Sequence, residues 1–393
     1  MSNQMRRAFF LFLLLSFFAI AIPLVLYSYG YRLDISGRSV SESGGIFIRS
    51  VPQDAVFKLN DEEIKNESGI LNSGTFIKSL LPGKYTLSVT KDGYRPISVI
   101  VEVIPFQAIS FDKLLLIPKV SYLILEGNFS DLLAEEGLIT VRDELGKIKL
   151  EGKSIAGNKA LAFTVDHKGI LTESLQKGTY LLINLAKPKA ALNLSDTFWT
   201  LKSTKLGLPG KIPIVTIIPH PYEPNRFVLS TKSAMYLMDA KQLSLSIIGD
   251  GADDIQKSGS AIAIIRNGEA GIFNLTVRNI SPLISVKGAK EVLFSEGGGK
   301  MAILWKSNVL EIYDIRKEKS MRFDISDVSP TGKMVWHGDE NHLFIDGTAG
   351  IYFLETDHEV FKPDLLVPDS HKFDYTNEGL YFVGHGGVRQ LKL

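Results

Sequence analysis

The chain has 393 residues, 45% of them hydrophobic and 22% charged, enough for two or three domains that each bury a core. Lys plus Arg number 44 against 43 Asp plus Glu, so the chain lacks the cationic surplus that displaces counterions from nucleic acid, and no nucleic-acid partner is expected. Cysteine is absent, which excludes disulfides, thiolate metal centres and a cysteine nucleophile.

Residues 1–7, "MSNQMRR", precede an apolar run that starts at Ala8 and reaches Tyr27 without a charge. As a helix at about 1.5 Å per residue this run is about 30 Å long, the thickness of a bilayer's hydrocarbon core. We read 8–28 as a single transmembrane anchor. Arg6 and Arg7 before it place residues 1–7 in the cytoplasm and the bulk of the chain outside, by the positive-inside bias. Tyr27, Tyr29 and Tyr31 form an interfacial aromatic belt. The competing reading is a cleaved signal peptide; its apolar core is normally shorter and ends in a small-x-small site, whereas "YSYGYRLD" follows here. Residues 29–44 are polar and glycine-bearing, as in a tether.

From residue 45 the sequence alternates with period two, the mark of strands with one buried face. Short strands are expected at Ile46 to Ser50 and Ala55 to Leu59, split by a turn at Pro52, Gln53 and Asp54. A hairpin is expected from Lys84 to Val103 around Asp92-Gly93, and a last strand within 107–117. The Gly83-Lys84 pair is no phosphate loop, because Tyr85 follows and a strand opens where a Walker cradle needs Ser or Thr and a helix.

"GIFIRSVPQDAVFKLN" followed by "LPGKYTLSVTKDGYRPISV" resembles a PEGA domain over residues 45–118. Ser50, Pro52, Ala55, Pro82, Gly83, Tyr85, Gly93 and Tyr94 match the family's pattern, while Gln53-Asp54 and Asn60-Asp61 depart from it at turns. The resemblance implies a small extracytoplasmic β-sandwich used as a spacer or interaction module, with no catalytic residues.

Residues 119–393 show almost no helical periodicity but do repeat. Apolar hairpins start at Asn225, Ser260, Lys300, Asn341 and Gly379, 35 to 41 residues apart, a β-propeller blade's period. We expect six or seven blades and favour seven, with "VSYLILEG" from Val120 pairing with the last blade to close the ring. "SEGGGK" and "SPTGK" are placed between blades. The hairpins resemble the propellers of periplasmic Tol-system proteins in architecture only, and a pair of large sandwiches is the alternative. The fold class is thus mainly all-β behind one N-terminal helix.

Little in the sequence points to chemistry. No His-Glu-x-x-His array is present, and His337 and His342, five apart, are read as an exposed hairpin or loop pair rather than metal ligands. "GDGADD" at 249–254 lacks calcium-loop spacing and is read as an interblade turn. No Gly-x-Ser-x-Gly elbow occurs. Glycosidase carboxylates can meet across a propeller channel without any motif, so Asp, Glu and His converging there favour an enzyme and a neutral channel counts against one. The expectation is a non-enzymatic, single-pass, membrane-anchored envelope protein with no cofactor and no metal. Its candidate partners are cell-wall or surface polysaccharide and envelope proteins; the alternative is an envelope glycan-active hydrolase or lyase.

Overall fold

The computed structural model describes residues 3–28, 30–34, 39–69, 72–258, 261–275 and 277–393. The chain divides into two units, Met1–Lys119 and Val120–Leu393.

The first unit begins with a helix, α1, at Asn3–Ser28. Its segment Phe9–Ser28 has a mean hydropathy of 2.8 and none of it is buried against protein, as fits a membrane span or a signal sequence equally. Tyr29 lies outside the described residues. The segment expected as a tether contains an antiparallel pair, Tyr31–Asp34 with Ser39–Glu42, and residues 35–38 lie outside the described residues. Backbone pairing of this kind needs no apolar alternation, so composition alone did not reveal it.

Two sheets follow. One has the order Thr75–Leu80, Gly44–Val51, Ala108–Leu115, with the last pair parallel. The other has the order Glu62–Ile64, Val56–Leu59, Gly83–Thr90, Ile97–Val103, all antiparallel. The alternation of the sequence becomes the core: Ile46, Ile48, Phe57, Leu87, Val99, Val101 and Phe111 are buried, while Arg49, Ile100 and Glu102 between them face outward. Asn60 and Asp61 both have positive φ, 50° and 68°, so the departure from Asn-Gly still makes a tight hairpin turn of the primed kind.

The second unit is propeller-like: its described residues form seven four-stranded antiparallel sheets, each an open ladder and none closed on itself. We number them blades 1 to 7 by their first strands, Phe129–Glu135, Lys159–Phe163, Thr216–Pro219, Asp254–Ser258, Ala289–Phe294, Pro330–Trp336 and Phe373–Thr376. Each first strand neighbours the next, and Phe373–Thr376 returns to Phe129–Glu135, so these strands form the inner circle. Blade 7 is completed from the other end of the unit, where Tyr122–Glu126 pairs with Gly387–Leu391 and Arg389 donates to Ser121. That strand covers an edge that would otherwise expose a row of unpaired backbone groups.

The repeating hairpins are the second and third strands of the blades. These are buried on both faces, as in Lys300–Trp305 and His342–Gly347, and so read as unbroken apolar runs. Fourth strands such as Asn279–Ser285 alternate with exposure and carry a weaker signal. This register corrects one placement: the "SEGGGK" turn joins Ala289–Phe294 to Lys300–Trp305 inside blade 5, whereas 251–253 of "GDGADD" does connect blades 3 and 4.

The expectation of no helix in this region is also corrected. A second helix, α2, spans Leu194–Leu206 between blades 2 and 3. Asn193 caps it by accepting from the N–H of Asp196 at 3.0 Å, and Gly207 ends it in the left-handed conformation, φ 66°. Leu194, Phe198 and Leu201 form its buried face against Tyr236 and Met238. The signals were present, but three apolar positions in one short helix are outweighed by strands on either side.

Candidate functional site

The inner circle encloses a cavity of about 620 Å³ to which every blade contributes. Its lining comes from the first strands and the turns after them: Leu133 to Glu136, Leu161, Tyr222, Lys257, Leu293, Phe294, Glu296, Met334 to Trp336 and Asp374 to Asn377. The wall is apolar and aromatic, through Leu133, Phe294, Met334, Trp336 and Tyr375. Against it stand four carboxyl groups, of Glu135, Glu136, Glu296 and Asp374, and one ammonium, of Lys257. Polar and apolar groups contribute about equally to the lining as a whole, a more polar balance than a typical small-molecule site has.

The geometry of these groups follows from the turns. Glu135 ends the first strand of blade 1, and Glu136 with Gly137 makes the tight turn, both at positive φ. Lys257 of blade 4 reaches across to Glu135, Nζ to Oε1 3.0 Å. His167 of blade 2 lies between the two glutamates, 3.6 Å from Glu135 and 3.4 Å from Glu136. Glu296 is pushed up from the ordinary carboxylate range, first by burial and then by the negative charge of Glu135, Glu136 and Glu340, with Lys257 opposing.

Asp374 lies deepest. Burial pushes its carboxyl up to about 6, although Lys333 and the N–H groups of Ala134 and Tyr375, each donating at 3.0 Å, hold it down. Lys333 is in turn lowered by burial, lies 5.1 Å from the centre of the Phe373 ring and donates to the carbonyl of Phe373. Asp374 thus ties blade 7 to blade 1 through Ala134 while keeping part of its surface in the cavity.

A second ionisable cluster stands behind the wall. His337 and His342, expected as an exposed pair, are 6% and 0% exposed: the turn between the first two strands of blade 6 folds both inward. The His337 N–H donates to the His342 carbonyl at 2.9 Å, which closes that turn, and Asp339 at its tip is shared. Asp339 lies 2.9 Å from His337 Nδ1 and 2.9 Å from His342 Nδ1, while His342 Nε2 lies 2.6 Å from Glu355. The carboxylates of Asp339 and Glu355 outweigh burial and raise His342 to about 9, and hydrogen bonds to both histidines hold Asp339 far below the usual range despite its burial. Ligand-type atoms of His337, Asp339 and His342 come within 4.8 Å of one another, close enough to suggest a metal. In the structure these atoms face one another: both histidine Nδ1 atoms lie 2.9 Å from Asp339, and the N–H of Asp339 donates to His337 Nδ1 at 3.2 Å. The His337 ring packs against Tyr375 in a tilted arrangement, 4.6 Å between centroids, so the cluster buttresses the cavity wall.

The motif residues singled out in the first unit do not converge. Ser50 is buried and donates to the Pro52 carbonyl at 2.8 Å, Ala55 is buried, and Gly93 takes φ 81° in its turn while accepting from Lys119. Tyr94 bridges to Pro118 beside them. Pro82 and Gly83 lie at the other end of the sandwich, where Gly83 pairs with Val103, and the Tyr85 hydroxyl donates to the Leu81 carbonyl at 2.9 Å. All eight shape turns and strand ends. None of the cavity groups was singled out in the sequence; the only signal they share is a place at the end of a first strand, visible once the blade register is known.

No family model and no curated protein matches the chain. Among solved structures, the β-propeller domain of Cps50 (Swd1) from Myceliophteria thermophila is similar, with a TM-score of 0.51 and 9% identity, covering 69% of this chain and 99% of that one. The chain has a β-propeller-like fold. At that identity the likeness concerns the fold alone.

Proposed function

We propose that the protein is a non-enzymatic, single-pass membrane-anchored binding platform, in which α1 is the anchor, residues 45–118 a PEGA-like spacer module, and the propeller-like unit the ligand-binding part. Arg6 and Arg7 before the apolar run support a cytoplasmic N-terminus and an extracytoplasmic bulk. The observation that carries the reading is the charge balance of the cavity. Four carboxyl groups, with Lys257 paired to Glu135 and Lys333 beside Asp374, leave a surplus of carboxyl groups beside aromatic side chains. That surplus suits a ligand that brings its own positive charge, such as a Lys or Arg side chain of an envelope protein or an amino group on a surface polymer. Trp336 lines the cavity and reports occupancy by its fluorescence. The test is titration of the full chain in detergent with a short Arg-containing peptide and with its citrulline counterpart. Saturable quenching by the first alone supports the reading, and equal response to both defeats it.

A second reading rests on Asp374. A carboxyl raised to about 6 that shares a cavity with further carboxyl groups, two of which, Glu135 and Glu136, have His167 beside them, is the convergence that favours glycan hydrolysis or lyase chemistry. Turnover of envelope glycan fragments with a pH profile inflecting near 6, abolished by Asp374→Asn, would replace the binding reading with this one.

A further inference from the structure

The turn at residues 104–107, between Ile97–Val103 and Ala108–Leu115, presents two large apolar side chains: Ile104 is 46% and Phe106 55% exposed. Phe106 has φ 57°, a conformation that Gly or Asn adopts cheaply and a bulky residue rarely does. The turn is rigidly seated. Gly44 lies so close beneath it that a Cβ there would stand 2.5 Å from the Ile104 carbonyl oxygen, and the N–H of Gly45 donates to Gln107 at 3.0 Å.

What the turn points toward is set by a short hydrogen-bond chain to the end of α1. The N–H of Phe106 donates to the carbonyl of Ser43 at 3.0 Å. Ser43 donates to the carbonyl of Gly30 twice, through its N–H at 2.7 Å and its hydroxyl at 2.6 Å. The N–H of Gly30 donates to Tyr27 inside the last turn of the helix at 3.1 Å. The Phe106 ring lies against Gly30, where a Cβ would be 3.7 Å from its Cδ1, and meets Tyr31 edge to face at 5.5 Å between centroids. Gly30 is two residues past Ser28, so at most about 7 Å of extended chain separates the end of α1 from the residue Phe106 touches. A headgroup layer is about 5–7 Å deep on each side of the hydrocarbon.

We infer that the Ile104–Phe106 turn is a second membrane contact, seated in the headgroup layer beside the exit of α1. The occupant of this exposed apolar surface is the lipid boundary itself, because the same hydrogen bonds that seat the turn fix it at the depth where Tyr27 and Tyr31 leave the bilayer. An aromatic ring is the side chain this layer accommodates best. The consequence is orientation: a helix alone leaves the following module free to tilt, whereas a second contact sets which face of the sandwich meets the membrane. This inference rests on α1 spanning the bilayer.

The chain has no cysteine, so single-cysteine variants of the full protein carry a spin label at one site only. In phosphatidylcholine nanodiscs, labels at Phe17→Cys, Phe106→Cys, Ile104→Cys and Gln53→Cys are compared by their accessibility to oxygen and to a water-soluble nickel chelate. Gln53 is exposed just beyond Val51, the end of the Gly44–Val51 strand remote from the turn, and serves as the aqueous reference. The expected result is an oxygen-to-nickel ratio several-fold higher at 104 and 106 than at 53, and highest at 17. Because Phe106 packs on Gly30, the Ile104 variant stands in if the Phe106 variant misfolds. A lipid-like value at 17 with 104 and 106 equal to 53 overturns the inference and leaves the anchor intact. An aqueous value at 17 removes the anchor and this inference together.

Discussion

Two clusters of ionisable groups in the propeller-like unit, one buried in blade 6 and one on the open cavity, are made of similar residues and do opposite things with charge. In blade 6, the His342 ring lies between Asp339 and Glu355, whose carboxylates raise it to about 9. Around the cavity, Glu135, Glu136, Glu296 and Asp374 outnumber the cations near them, Lys257 at Glu135 and Lys333 at Asp374, and Glu296 and Asp374 are pushed up first of all by burial. Histidine content therefore does not separate a structural cluster from a candidate site. What separates them is whether the charges close within the protein or leave a surplus facing open volume.

The comparison breaks first at His342. Replacing it with Ala leaves two buried carboxylates without their cation, which costs about 3–5 kcal/mol. The sign with pH is fixed by the raised value: the pairing stabilises fully below the ordinary histidine pKa of 6.5 and is lost as pH rises through about 9. Urea unfolding of His342→Ala and the parent should differ most below about pH 6.5, less as the pH rises, and converge above about pH 9. An unchanged gap at high pH would mean that packing on Phe353, not charge, is what was removed.

Asp374 should behave in the reverse sense. Its carboxyl is raised from 3.8 to about 6, so ionisation opposes folding: the penalty is absent below about pH 4 and complete above about pH 6. A shift of that size is worth about 3 kcal/mol. Relative to the parent, Asp374→Asn should therefore gain about that much stability between pH 4 and pH 8, read from unfolding midpoints at each pH. A constant difference across the range would place Asp374 among balanced groups like Asp339.

The sequence made the fold readable and the site almost unreadable, for one physical reason. Strands with both faces buried, such as Lys300–Trp305, write themselves as apolar runs, and the repeat of those runs announces blades. Tyr122–Glu126 could be assigned to the last blade because ring closure demands a partner for an open edge. The cavity residues obey no spacing: Glu135 and Lys257 are 122 positions apart and meet only because blades 1 and 4 face each other across the ring. His337 and His342 misled in the other direction, since a five-residue separation fits no single face until the turn at Asp339 folds both rings inward.

The cavity rim gives a smaller test. Glu296→Gln removes a carboxyl that its neighbours already disfavour, so it should leave the unfolding midpoint unchanged or slightly raised. It should also weaken an Arg-containing peptide by roughly tenfold, the value of a charge-assisted hydrogen bond of about 1.5 kcal/mol. Equal affinity in parent and variant would detach the surplus charge from binding.

The smallest expected effect is none. If the blade 6 cluster is closed, zinc ions gain nothing by entering it at neutral pH, because His342 must first give up a proton held to about 9. A bound metal stabilises in proportion to the logarithm of its concentration over its dissociation constant, so even a micromolar site would raise the melting temperature visibly at millimolar zinc. An unchanged melting temperature at neutral pH fits the closed cluster. A rise that disappears in His337→Phe would show that the nitrogen of His337 is free after all, and that blade 6 holds a metal ligand set rather than a buttress for Tyr375.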